Sequence, residues 1–410
     1  MRKNLCFLFV TVLLPLGLGA QTIQGRLQGV SGNSYSSTQK TSHYELFAEA
    51  GAESRLPSLA RELELRFESY NQLFRFNPAM LPSLLRVRVF ADPVSYETYV
   101  SSRLGTPRVG ATYLHYNNSE RRELVILRGS ADEAHMVAHL AFIQFIRAFI
   151  SNPPAWIREG FAIYFNSLRF DPLEESLSYE ENLTWLETVK ELGRGIMFPR
   201  EIILADTVAI NDASPSGNLG PTYSEKFQVC SWALVSFFMN SNEYMRSLTD
   251  CFMVLSPQAS AQENSRAVMN RLSIWIDFYS FDREFLSYLD SRKTFTELME
   301  TGRRSHDAGD SINAELAFLA ARDLSPTHYG PHYYLGLLYY EAGMYDLAEE
   351  NYRLSLEYGA DEASASYALG INALSAGRLS DSRSWLEKAA AADPARYRER
   401  VGNLLRRFQN

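Results

Sequence analysis

The sequence predicts an α+β to mainly α protein whose C-terminal third is an α-solenoid. Strand and helix patterns alternate in the first part of the chain, long helical patterns follow, and glycines recur every 34 residues near the end. The 410 residues are 46% hydrophobic and 21% charged, which is ordinary globular composition. This length is sufficient for two or three domains with separate cores.

The charge balance and the N-terminus restrict partners and location. A net charge of −8 argues against nucleic acid as the main partner, because phosphate binding needs a basic face. Arg2 and Lys3 precede an apolar run and the small residues "GLGA", so residues 1–20 are predicted to be a signal peptide. The run is shorter than the roughly 20 residues of a spanning helix. We therefore expect export to the periplasm or cell envelope, or secretion, with no transmembrane segment after signal removal.

Two cysteines, Cys230 and Cys251, remain after the predicted signal. In an exported protein they either form a disulfide or stay as buried free thiols. The sequence leaves both alternatives open.

The first domain, predicted over residues 44–290, opens with alternating strands and helices. Residues 21–43 read as a linker or a leading strand, and "HYELFAEA" reads as a strand. A helix follows and ends before Asn77-Pro78. Three further strands, "LLRVRVFAD", "GATYLHYN" and "ELVILRG", with the helix "SYETYVSSRLG" after the first, complete the order β-α-β-α-β-β.

Long helices are predicted for the rest of this domain. The helix from Asp132 to Ile150 is apolar on most faces, which indicates burial. The next helix, "AWIREGFAIYFNSL", begins after two prolines suited to a first turn. Further helices are predicted at Tyr179 to Leu192, Ser224 to Met239, Glu243 to Leu255 and Ala261 to Tyr279.

Residues 295–408 contain an internal repeat. Rows of residues recur 34 apart: Gly302, Gly336 and Gly370; Gly309, Gly343 and Gly377; Ala314, Ala348 and Ser382; Phe318, Tyr352 and Leu386; Ala321, Ser355 and Ala389. This pattern resembles the tetratricopeptide repeat, with three units and a capping helix at Tyr397 to Phe408. The resemblance implies a protein or peptide partner in the concave face.

Two histidines in "DEAHMVAHLAF" are a candidate metal site. His135 and His139 are four apart, so on a helix both imidazoles face the same side and can reach one ion at about 2.0–2.1 Å. The alternative is a pair of hydrogen-bonded core histidines, because buried polar groups are usually satisfied by such partners.

The helix that follows carries the pattern W-x-x-E-G-x-A-x-Y, formed by Trp156, Glu159, Gly160, Ala162 and Tyr164. Together with the histidine pair, it resembles the gluzincin zinc metallopeptidases, in particular the peptidase MA-like proteins. The resemblance implies zinc bound by His135, His139 and Glu159, in a cleft that accepts peptide. The alternative for Glu159 is an acid favoured by the helix dipole in an early turn.

The departure from that family is Met136, which stands where the family has its general base. A positioned base contributes about 10² to 10⁴ in rate, and a thioether cannot accept a proton from zinc-bound water. Glu133 lies a turn nearer the N-terminus, too far to replace it without distortion. We therefore predict a non-catalytic domain that binds protein or peptide. The alternatives are an active zinc peptidase with a different base and a metal-free scaffold.

Overall fold

The computed structural model describes residues 21–23, 35–130, 133–179, 183–205 and 223–407. The predicted signal peptide, residues 1–20, lies outside the described residues. The chain forms two compact units, residues 1–289 and 290–410. Among the described helices, none is long and apolar enough to cross a membrane.

The first unit contains a six-stranded sheet. Its strands are β1 (Gln21–Ile23), β2 (Ser37–Lys40), β3 (Tyr44–Ala48), β4 (Leu85–Phe90), β5 (Ala111–Leu114) and β6 (Glu123–Leu127), in the order β1-β2-β3-β4-β6-β5. The pairs β3–β4 and β4–β6 are parallel, and the other pairs are antiparallel. Helix α1 (Leu56–Phe74) connects β3 to β4, and α2 (Pro93–Leu104) connects β4 to the hairpin β5–β6. The β-α-β-α-β-β order that the sequence predicts is present over β3 to β6, and β1 and β2 are two additional leading strands.

The helices of the first unit pack around one large aromatic core. They are α3 (Glu133–Phe149), α4 (Ala155–Phe165), α5 (Thr184–Glu191), α6 (Pro199–Leu204), α7 (Tyr223–Met239), α8 (Asn242–Phe252), α9 (Ala261–Leu272) and α10 (Phe278–Ser291). Helices α4 and α7 approach closely at Gly160, where an added Cβ would lie 2.6 Å from the backbone oxygen of Ser231. Any side chain at position 160 would clash with this backbone, so the close crossing of the two helices requires glycine there.

A buried ion-pair network ties α1 to the start of α3. Arg66 donates to Glu62 at 2.9 Å inside α1, and both side chains are almost fully buried. Arg55 contacts Glu62 at 3.2 Å and Glu133 at 3.0 Å. The shared guanidinium thus holds the first turn of α3 against α1, and removal of one partner would leave a buried charge uncompensated.

Three helix predictions are wrong in part. The predicted helix from Tyr179 begins only at Thr184, because residues 168–179 form the hairpin β7 (Leu168–Asp171) and β8 (Ser176–Tyr179). Its turn includes Glu175 at a φ of 46°, a conformation that no helix contains. The hairpin also ends the preceding helix at Phe165 rather than within "NSL".

The predicted helix from Ala261 to Tyr279 is two helices, α9 and α10, separated by residues 273–277. The carboxylate of Asp277 accepts the backbone N–H of Ser280 at 3.2 Å and so caps the start of α10. Asp side chains compete with helix continuation by capping backbone N–H groups in this way.

The second unit is a TPR-like array of helical hairpins. Its helices are α11 (Phe295–Asp307), α12 (Ser311–Leu324), α13 (Tyr329–Glu341), α14 (Tyr345–Glu357), α15 (Glu362–Ser375), α16 (Leu379–Ala392) and α17 (Pro394–Arg407). The first glycine row lies where the two helices of each hairpin meet: Cβ atoms on Gly336 and Gly370 would lie 2.7 Å from Tyr352 and Leu386. The helical repeat that the spacing predicts is confirmed.

The ends of the hairpins follow from the same residues. Gly309, Gly343 and Gly377 have φ values of 75°, 74° and 76°, the left-handed conformation that ends the first helix of each hairpin. Helix α17 begins at Pro394, three residues before the predicted cap, because proline is well suited to a first helical turn. Tyr397 and Val401 on α17 pack against Leu386 and Ala389, which covers the last apolar face.

Candidate functional site

The predicted ligands lie on α3 and α4, and the structure brings only part of the set together. Nε2 of His139 lies 4.0 Å from Oε2 of Glu159, and Glu159 is buried. His135 is exposed one turn earlier, where its Nδ1 lies 3.5 Å from a guanidinium nitrogen of Arg169 on β7. The contact between His139 and Glu159 agrees with a shared site, whereas His135 faces a cation.

Arg158 is the closest partner of Glu159. Its Nε donates to Oε1 of Glu159 at 2.6 Å, which neutralises the carboxylate without a metal. Within the part of the chain that the structure describes, no group of three or more His, Cys, Asp or Glu side chains is positioned to hold a metal ion. In this arrangement the three residues do not form a ligand set for zinc, and zinc binding stays a prediction.

Burial and charge favour the neutral form of His139. Desolvation lowers the pKa of its imidazole, Glu159 acts in the opposite direction, and Arg158 lowers the pKa further. A neutral imidazole retains a lone pair, which metal coordination requires and which can equally accept a hydrogen bond.

Met136 lies at the edge of the sheet. Its side chain packs on Gly110, which directly precedes β5: an added Cβ at Gly110 would lie 2.5 Å from the sulfur of Met136. Glu133 is engaged elsewhere, since one carboxylate oxygen contacts Arg55 and the other accepts the N–H of Gly129 at 2.7 Å. Met136 has no carboxylate, and both carboxylate oxygens of Glu133 already have other partners. Neither residue therefore provides a free base beside His139.

The other residues of the α4 pattern have packing roles. Trp156, Ala162 and Tyr164 are buried in the core, and the ring of Trp156 stacks 6.1 Å from Phe238. Gly160 permits the crossing of α4 and α7. Of the five residues in the pattern, only Glu159 presents a charged group to the histidines.

Three arginines around the end of α3 and the start of α4 were not predicted from the sequence. Arg122 precedes β6, Arg147 lies in the last turn of α3, and Arg158 lies in the first turn of α4. Arg147 follows His139 by eight residues and so shares its helix face. An arginine in a largely apolar helix was the signal available in the sequence.

The two cysteines are buried and free. The sulfur of Cys230 accepts the backbone N–H of Met197 at 3.4 Å, while the thiol of Cys251 lies 3.9 Å from the carbonyl oxygen of Val268. Each thiol therefore has its own backbone partner. Of the two alternatives, the structure contains buried free thiols and not a disulfide.

A groove lies in the second unit, along the first helix of each hairpin. Its volume is about 1020 Å³, open solvent at its mouth included. Its walls include three tyrosines, the positively charged Arg303 and the negatively charged Asp361. The lining residues are Phe295, Thr296, Met299, Arg303, His328, Tyr329, Gly330, Tyr333, Tyr334, Ala360, Asp361 and Ser364.

Comparison with known proteins yields no match to a family model and none to a curated protein. Among solved structures, the chain is similar to the "First TPR of Spaghetti (RPAP3) bound to HSP90 peptide SRMEEVD", at 16% identity and a TM-score of 0.27 over 28% of this chain and 90% of that chain. It is also similar to "YrrB: a TPR protein with an unusual peptide-binding site", at 15% identity and a TM-score of 0.25 over 40% of this chain and 84% of that chain. The helical repeat rests on its own hairpins rather than on these likenesses.

Proposed function

We propose that the protein binds a peptide or an extended segment of a partner protein in the groove of its second unit. The observation that carries the proposal is the groove itself, which is concave, contains one phenylalanine and three tyrosines, and is lined by the first helices of three successive hairpins. Concave sites with few polar groups are typical of ligand binding.

The residues of the groove suit an extended peptide. Tyr329 is 44% exposed, and tyrosine supplies contact area at a low entropic cost together with a polar end. Arg303 and Asp361 on different hairpins add opposite charges, which would orient a bound chain. A partner with apolar side chains and both charge signs has the matching chemistry.

Variants of the groove test this proposal. Peptides selected from a displayed library on the whole protein would be titrated by fluorescence anisotropy against Tyr329→Ser and Arg303→Ser. We expect each variant to bind about tenfold more weakly, as central interface residues commonly do. Leu316→Ser is the matched control, because Leu316 is 60% exposed on α12 outside the groove. Full affinity in both groove variants would contradict the proposal.

For the first unit we propose a gluzincin-like domain without catalytic activity, in an exported protein. The apolar Met136 at the position of the general base supports this, as does the engagement of Glu133 by Arg55. Met136→Glu would restore a carboxylate at the residue that follows His135, and new peptide cleavage in that variant would support the relationship. Ordinary turnover by the unaltered protein would refute the proposal.

The zinc content of the protein distinguishes the remaining alternatives. Elemental analysis of the protein and of His139→Ala tests whether His139 holds a metal: zinc that is lost in the variant supports a ligand set of His135, His139 and Glu159. An active zinc peptidase with another base requires that zinc and also cleavage that His135→Ala abolishes. A metal-free scaffold requires no zinc in either protein after supply of the metal.

A further inference from the structure

The groove of the second unit contains two groups of neighbouring aromatic rings. In the first group, the ring centroids of Phe295 and His328 lie 4.6 Å apart, and those of His328 and Tyr329 lie 4.9 Å apart. In the second group, Tyr333 and Tyr334 meet edge to face at 5.9 Å. Tyr333 follows Tyr329 by four residues on α13, so the two groups are one helical turn apart, about 6 Å along the axis.

The second group is held in place by the second helices of two hairpins. The ring of Tyr334 stacks on Phe318 of α12 at 4.9 Å, and the ring of Tyr333 packs on Tyr352 of α14 at 5.6 Å. Both Phe318 and Tyr352 are buried. These rings are therefore positioned before a ligand arrives, which reduces the entropic cost of binding.

Several hydrogen-bond donors in the groove have no partner. Among the residues that the structure describes, none forms a hydrogen bond with the hydroxyl of Tyr329, Tyr333 or Tyr334, and none pairs with the guanidinium of Arg303. A tyrosine hydroxyl donates one hydrogen bond, and a guanidinium has five N–H donors and no acceptor. A ligand rich in acceptors would satisfy these groups.

Three acceptors in the groove already have partners within the protein. Asp361 accepts the N–H of Ser364 at 2.9 Å, and Nδ1 of His328 accepts the N–H of Gly330 at 3.0 Å. The hydroxyl of Ser364 accepts from Arg396 at 3.2 Å. Because Nδ1 of His328 is an acceptor, its neutral ring carries the proton on Nε2 and adds a donor. The groove therefore suits a ligand with many acceptors and few donors.

We propose that the groove binds a proline-rich segment in the polyproline II conformation, an inference that rests on the proposed peptide-binding function. Each proline has a backbone carbonyl but no N–H, and a polyproline II helix makes no internal hydrogen bonds. Such a segment presents open acceptors to the tyrosine hydroxyls and no backbone donors of its own. Grooves lined with aromatic rings bind this conformation, which is already extended and costs little entropy to order.

An ordinary extended peptide is the competing ligand. It carries one N–H for each carbonyl, so some of its donors would lose water in this groove without gaining an acceptor, which costs affinity. The aromatic walls alone would accept either ligand. The tyrosine hydroxyls are therefore the groups that distinguish the two.

The test is titration of the whole protein with a fluorescent peptide of nine prolines, followed by anisotropy. The comparison peptide has the same length, with alanine in place of every second proline. We expect the peptide of nine prolines to bind at least about tenfold more tightly, since each alanine adds an unsatisfied N–H and loosens the conformation.

Variants that remove only a hydroxyl test the role of the tyrosines. Tyr329→Phe and Tyr333→Phe keep the rings, and each is expected to bind the peptide of nine prolines about two- to tenfold more weakly. Tyr345→Phe is the matched control, because it removes the same group from α14 outside the groove and is expected to bind as the parent does. Thermal unfolding of each variant separates lost binding from lost folding. Unchanged affinity in both groove variants overturns the proposal.

Peptides selected from the displayed library separate this inference from the proposed function. Proline enrichment among them, with affinity that Tyr333→Phe reduces, supports both. Selected peptides that bind in the groove without proline enrichment, together with no binding of nine prolines at millimolar concentration, overturn the proline-rich ligand and leave the peptide groove standing. A library that yields no groove-dependent peptide, together with no binding of nine prolines, overturns both.

Discussion

His115 shows how burial and the charges of Arg147, Arg122 and Arg158 together act on a single residue. Because its pKa is lowered to about 4 in the folded state, the imidazole stays neutral there while the unfolded chain, near the ordinary value of 6.5, takes up a proton. The unfolded state therefore binds more protons across this window, and stability is lost as pH falls from about 6.5 toward 4.

We expect NMR titration to show His115 unprotonated at about pH 5.5, where an ordinary histidine is mostly charged. His115→Gln should reduce the loss of stability between neutral and mildly acidic pH, measured by urea unfolding at both. Arg147→Gln should raise the pKa of His115, since it removes one of the charges responsible. An unperturbed titration of His115 in the parent protein would contradict this effect of burial and of the three arginines.

The two thiols give a second prediction at this scale. Burial raises the pKa of Cys230 to about 11 and that of Cys251 to about 12. Since the thiolate is the reactive form, neither residue should react with Ellman's reagent at pH 8 in the folded protein, and both should react in denaturant. A disulfide would leave both unreactive in denaturant as well, until a reductant is added.

At the scale of the element, the crossing of α4 and α7 depends on the absence of one methyl group. Gly160→Ala would place a Cβ 2.6 Å from the carbonyl oxygen of Ser231, and backbone does not yield as a flexible side chain does. We expect a loss of about 1–3 kcal/mol in the free energy of unfolding, the usual cost of overpacking.

Gly402→Ala on α17 is the matched control for that variant. An added Cβ there meets no atom within 4 Å, so the substitution should stabilise its helix by about 0.5–1 kcal/mol. Chemical unfolding of the two variants measures both values. Equal effects of the two substitutions would show that packing at Gly160 is not as described.

At the scale of the whole molecule, each unit has its own core. The second unit has three hydrophobic clusters along its hairpins, and a repeat array depends on contacts between neighbouring repeats. We expect residues 290–410 to fold alone with helical circular dichroism and a cooperative thermal transition. A fragment that lacks this transition would mean that the array depends on the rest of the chain.

The elements that sequence reasoning predicted well are those with strong periodicity. The glycine rows predicted the hairpins because the first row meets the equivalent position of the second helix in every repeat, and the second row ends the first helix in the left-handed conformation. The hairpin β7–β8 and the break before Asp277 were missed, since a short turn or a single cap decides them. For the site, the resemblance to the gluzincins pointed to His139 and Glu159, which lie 4.0 Å apart, but could not show the charges that surround them.

The sequence by itself determined the helical repeat and the buried character of α3. Only the tertiary structure decided that Arg158 neutralises Glu159, that Arg55 engages Glu133, and that Arg122 reaches the end of α3. The physical reason is the range of the interactions. Periodic packing depends on neighbours a few residues apart, whereas charges pair across elements that only the folded chain brings together.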